Sequence, residues 1–144
     1  MSFKSASFPL LGLLLPLLGA CESIDSERSA LRSTLSDSGQ LAREITTWRA
    51  SLPVDVGQNA VQNLEAFQIR AGKNADTFES LSEEARAGVD LTGLQQALRA
   101  IEGFDTSTFA PASATARTSL LDQFSGLARN LQSSVSLTTP RLGS

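Results

Sequence analysis

AVQNLEAFQIRAGKNADTFESL, residues 60–81, places Ala60, Leu64, Phe67, Ala71, Asn74, Phe78 and Leu81 at alternating spacings of four and three. That repeat puts all seven on one stripe of an α-helix, whereas a half-buried strand alternates with period two. Six of the seven are apolar and one, Asn74, is an amide. Upstream, Asp55 can cap the helix and Gln58 can complete a capping box. The pattern predicts a helix reaching about Arg86, roughly 45 Å long at 1.5 Å per residue. Gly88 and Asp90 then break it, and Ala87, Leu91, Leu94, Leu98 and Ile101 follow a new register.

Three-four spacing extends outward in both directions. A third helix is predicted over Leu91–Glu102, with Thr92 and Gln95 as an alternative start and Gly103 as a C′ residue. Phe104–Thr115 reads as the longest loop, and a fourth helix over Ala116–Val135 carries Leu120, Phe124, Leu127 and Leu131, with Pro140 beyond it in a frayed tail. Toward the amino terminus, Ile24, Leu31, Leu35, Ile45, Trp48 and Leu52 predict a helix over Ser23–Ser51 that Pro53 stops. Asp37 with Gln40 is an alternative capping box, which would leave residues 22–36 as a tether or a short separate helix. The expected fold is all-α: a three- or four-helix up-and-down bundle whose two long helices, joined by Leu52–Asp55, run antiparallel. A rod-like coiled-coil oligomer is the rival, because a seam helix can equally pair between chains.

The first twenty residues, MSFKSASFPLLGLLLPLLGA, read as a cleaved export signal: a polar start with Lys4, an apolar stretch from Phe8 to Leu18, then Gly19 and Ala20. That stretch spans only about 16 Å as a helix, against a hydrocarbon core of about 30 Å. Leu18-Gly19-Ala20-Cys21 resembles the lipobox of bacterial lipoproteins. The resemblance implies diacylglycerol on Cys21, cleavage before it, and a mature single helical domain over residues 21–144 held to a membrane by palmitate-like acyl chains. Cys21 is the only cysteine, so no intrachain disulfide can form. Two or three acyl chains anchor stably where one does so marginally. In Gram-negative lipoproteins an aspartate after the cysteine signals inner-membrane retention. Glu22 therefore points to the outer membrane, facing the periplasm.

Composition narrows the chemistry. The whole chain carries 12 basic and 15 acidic residues, a net −3, and loss of Lys4 with the leader makes it −4. Dispersed arginines on an acidic chain argue against nucleic acid and against a polybasic membrane patch. There is no histidine and no tyrosine, so Ser-His and Cys-His catalysis and histidine metal sites are out of reach. Lys73, the only lysine after the leader, reads as solvated among Arg70, Asp76 and Thr77. Glu79-Ser80 matches the Glu-Ser pair of lytic transglycosylases, but Leu81-Ser82-Glu83-Glu84 does not continue that motif. No catalytic residue, metal ligand or cofactor is expected.

Four residues stand as candidates for interaction. Asn74 is either a register-setting or ligand-facing amide or a satisfied edge residue near the bundle end. Trp48 is either a partner anchor or a half-buried bundle residue. Phe104 and Phe109 either form an interaction loop or plug the open end of the bundle. Gly39, Gly72 and Gly126 either mark close helix contacts or are tolerated. The expected function is a lipid-anchored, non-catalytic helical scaffold or interaction module with an envelope protein partner. The alternative is a carrier of a lipid or other apolar ligand within the bundle.

Overall fold

A computed structural model describes the backbone of residues 8–52, 59–86, 88–109 and 111–142, and the side chains of residues 24–52, 60–86, 88–109 and 111–139. Residues 1–7 of the expected leader, the side chain of Cys21, and the expected caps Asp55 and Gln58 lie outside the described residues. Four helices follow in order: α1 Phe8–Ser51, α2 Asn59–Ser80, α3 Thr92–Glu102 and α4 Ala114–Leu142. No described helix is long and apolar enough to cross a membrane.

Cross-links between neighbouring helices establish their directions. Asp37 meets Arg70 and Asn74, while Trp48 meets Phe67, so α1 and α2 are antiparallel. Gln68 reaches Ile101 while Asp76 reaches Arg99, which reverses α3 against α2. Gly93 lies by Ser134 and Phe104 by Phe124, reversing α4 against α3. Arg49 pairs with Asp122 and Gly39 sits against Val135, closing the ring between α4 and α1. The fold is a four-helix up-and-down bundle, as its periodicity predicts.

Each helix contributes a stripe to one core. The seam of α2 is buried as read, with Ala60, Leu64, Ala71, Asn74, Phe78 and Leu81 inside and Phe67 packed half-buried against them. It is consumed within this chain rather than offered for pairing between chains. On α1 the buried set is Leu31, Leu35, Ser38, Ala42 and Ile45, again at spacings of four and three, with Leu41 beside it. On α4 the buried apolar residues are Leu121, Phe124, Ala128, Leu131 and Val135, while the expected Leu120 and Leu127 are only partly buried. Complete burial of one such Leu, Ile or Phe contributes about 1.5–3 kcal/mol.

Several boundaries differ from expectation, each for a local reason. α1 does not break at Asp37–Gln40, and residues 24–36 are helical, because Asp37 binds Arg70 across the bundle instead of capping its own chain. α2 stops at Ser80 rather than near Arg86. The Ser82 N–H donates to the Glu27 carboxylate of α1 at 2.6 Å, so it is taken from the Phe78 carbonyl that would have continued the helix. A short turn follows, in which the Ala85 N–H donates to Ser82 Oγ at 3.3 Å, and Gly88 takes a φ of 80° that favours glycine.

α3 begins at Thr92, whose N–H donates to Asp90 Oδ1 at 3.0 Å. It closes at Gly103 with a φ of −86°, so the expected left-handed cap is not used. Instead the Gln68 amide of α2 donates among the carbonyls of Ile101, Glu102 and Phe104, at 3.1, 3.2 and 2.5 Å. α4 begins two residues early because the Ala116 N–H donates to Ser113 Oγ at 3.2 Å, an N-cap not recognised in the sequence. It continues through Leu142, past Pro140, because Val135 and Thr138 remain buried and extend its packed stripe another turn.

Candidate functional site

The polar seam between α1 and α2, buried at Ser38 and Asn74 and partly exposed beyond them, ties the two helices together. Arg70 forks onto Asp37, with Nη2 to Oδ1 at 2.7 Å and Nε to Oδ2 at 3.1 Å, and its Nη1 donates to Glu44 at 3.0 Å. Asn74 Nδ2 donates to Asp37 Oδ2 at 2.9 Å and to Ser38 Oγ at 3.2 Å. The Arg70 guanidinium, bonded to the Asp37 carboxyl, holds it below the usual carboxylate range, with the Asn74 amide and the Lys73 charge adding to the effect against some burial. The bond to Asp37, against some burial and with the bond to Glu44 adding to it, raises the Arg70 pKa. Asn74 is thus a satisfied amide, but it lies midway along the α1–α2 contact rather than at the bundle end.

The aromatic candidates join one stack. Trp48 meets Phe67 edge-on at 5.4 Å, Phe67 lies 6.4 Å from Phe124, and Phe124 meets Phe104 edge-on at 5.3 Å. Phe109 is 1% exposed and Phe104 half-buried, so the long loop folds both rings onto the bundle instead of presenting them. Trp48 sits at the outer end of the stack and is half-buried there. It lines a groove there.

That groove is one of two flanking the outer face of α1. The first, about 430 Å³, is lined by Gln40, Arg43, Glu44, Thr47, Trp48 and Phe67, with the two rings as its apolar floor. The second, about 410 Å³, lies between α1 and α4 and is lined by Arg32, Leu35, Ser36, Gly39, Arg43, Val135 and Thr139. Gly39 permits this approach, since a Cβ there would meet Val135 Cγ1 at 3.3 Å. Arg43 borders both grooves. Neither groove is visible in the sequence, because each is made by residues from two helices.

Three of the described arginines hold carboxylates. Arg49 pairs with Asp122 at 2.8 Å, Arg70 with Asp37 and Glu44, and Arg99 with Asp76, Glu79 and Glu102 at 2.6–2.8 Å. These carboxylates, Glu79 first, raise the Arg99 pKa, and both oxygens of Glu79 are engaged there. Arg32 and Arg43 are exposed and meet no carboxylate among the described residues. No grouping of His, Cys, Asp and Glu among the described residues has the arrangement of a metal site. Comparison with protein-family models, curated proteins and solved structures found no match in any of the three.

Proposed function

We propose that this chain is a non-catalytic, lipid-anchored helical module of the bacterial envelope. It is held to the outer membrane through acyl chains on Cys21 and offers its folded surface to a protein partner in the periplasm. The anchor rests on the leader and on Leu18-Gly19-Ala20-Cys21. The observation that carries the interaction role is the outer face of α1, where Trp48 and Arg43, with Phe67 of α2 beside them, border open grooves instead of packing fully into the bundle. Trp and Arg flanked by apolar surface are the residue types that dominate binding energy at protein interfaces.

An apolar ligand held inside the bundle is less favoured, because Phe78, Phe109 and Phe124 fill the interior with at most 1% of their surface exposed. The test of the anchor is the intact mass of the natural product. Loss of residues 1–20 and added acyl mass on Cys21, abolished by Cys21→Ser, supports it, and a bare thiol behind an intact leader overturns it. The test of the module is affinity purification of the acylated protein from gently solubilised envelopes. One stoichiometric companion, lost on Trp48→Ala, supports the interaction role, and a clean monomer overturns it.

A further inference from the structure

The α1–α4 groove has a charge opposite to that of the molecule. The chain is net acidic, yet between residues 28 and 43 its α1 segment carries Arg28, Arg32 and Arg43 and a single acid, Asp37. Asp37 is turned to α2 and bound by Arg70 and Asn74. Opposite, α4 carries no acid after Asp122, and Asp122 is held by Arg49. Two arginines without carboxylate partners therefore flank a floor of Leu35, Gly39 and Val135. Arg32 and Arg43 are eleven residues apart, which returns them to the same face of α1 about 16 Å apart along its axis.

We infer that this groove docks an amphipathic helix of a protein partner whose carboxylates meet Arg32 and Arg43. This rests on the interaction role proposed above and names the chemistry of the partner. A groove lined from Arg32 to Arg43, with an apolar floor and charges three helical turns apart, matches a helix laid lengthwise. A partner helix with acids about eleven residues apart and leucine-type residues at i, i+4 and i+7 between them presents the complementary surface. Charge-assisted bonds from a guanidinium to a carboxylate fix its register, and the apolar stems of Arg32 and Arg43 add contact area beside the small exposed edges of Leu35 and Val135. Trp48, in the adjoining groove that shares Arg43, flanks the docked helix.

The sole tryptophan makes the test direct. The full chain, as its cells process it, is kept in zwitterionic lipid and titrated with a designed peptide of roughly 18 residues, long enough to hold a helix. The peptide carries a leucine face and two glutamates eleven residues apart, and Trp48 fluorescence is the readout. Saturable binding that weakens about tenfold in Arg32→Glu and in Arg43→Glu, but not in Lys73→Glu, is expected. The same peptide with lysines for glutamates is expected not to bind. All three variants alter exposed side chains, and their helical circular dichroism should match the parent. No saturable shift, an equal response to the lysine peptide, or indifference to both arginine reversals overturns the proposal. So does a response to phosphatidylglycerol vesicles equal to or stronger than that to the peptide, which assigns the face to a membrane surface. Failure here leaves the mass and affinity tests standing, because an added peptide requires neither acylation nor the natural companion.

Discussion

The Asn74 amide nitrogen stands 3.2 Å from Ser38 Oγ, joining a buried polar residue of the α2 seam to a buried polar residue of the α1 seam. In an otherwise apolar stripe this pair sets the sliding register of the two helices. Displacement by one turn would leave both groups buried without partners. Such a loss costs about 1–3 kcal/mol per group. The bond to Asp37 at 2.9 Å adds a second lock.

Asn74→Ala is therefore expected to destabilise the bundle by about 1–3 kcal/mol in urea unfolding. Combined with Ser38→Ala, the loss should be less than additive, with a coupling of about 0.5–1.5 kcal/mol. Strict additivity would mean that the two side chains do not act on one another.

Acid should act partly through Asp37. Its folded pKa lies below the ordinary 3.8, so its contribution to stability is present above that value and is lost as pH falls through the folded pKa. Urea midpoints measured from pH 6 down to pH 2 should fall below about pH 4. Asp37→Asn should be less stable at pH 6 and show a flatter acid limb. Parallel limbs for the two proteins would contradict the Arg70–Asp37 account.

Three glycines within helical patterns should respond differently to alanine. At Gly126 the nearest atom to an added Cβ is the tip of Arg129 at 3.7 Å, so helix propensity dominates and stability should rise by about 0.5–1 kcal/mol. At Gly72 the Cβ would overlap the Glu102 carboxyl group, whose Cδ lies 2.8 Å away, and would displace it from Arg99. The propensity gain is offset there, and Gly72→Ala should melt below Gly126→Ala. Gly39→Ala presses on Val135 at 3.3 Å, and its melting temperature should also fall below that of Gly126→Ala.

The loop rings should separate by burial. Phe109→Ala empties a site that is 1% exposed and is expected to cost about 3–5 kcal/mol. Phe104 is half-buried against Phe124, so Phe104→Ala should cost less. Equal, small effects in thermal melts would return the loop to the role of an exposed interaction element.

Local spacing in the sequence was enough to determine the all-α class, the four helical segments and the inward face of α2, because helical periodicity belongs to a single segment and needs no partner. Even so, the buried stripe of α4 fell on Leu121 rather than on Leu120, since adjacent leucines satisfy the same period and only packing chooses between them. The end of α2 was decided in space, where the Glu27 carboxylate captures the Ser82 N–H from 55 residues away. Ser38 gave no signal as a seam residue until Asn74 was placed beside it. The grooves beside Arg43 likewise exist only once three helices have taken their positions. Hydrogen bonds and clefts between helices depend on their relative rotation and register, which the summed packing of the bundle sets and no single stretch of chain encodes.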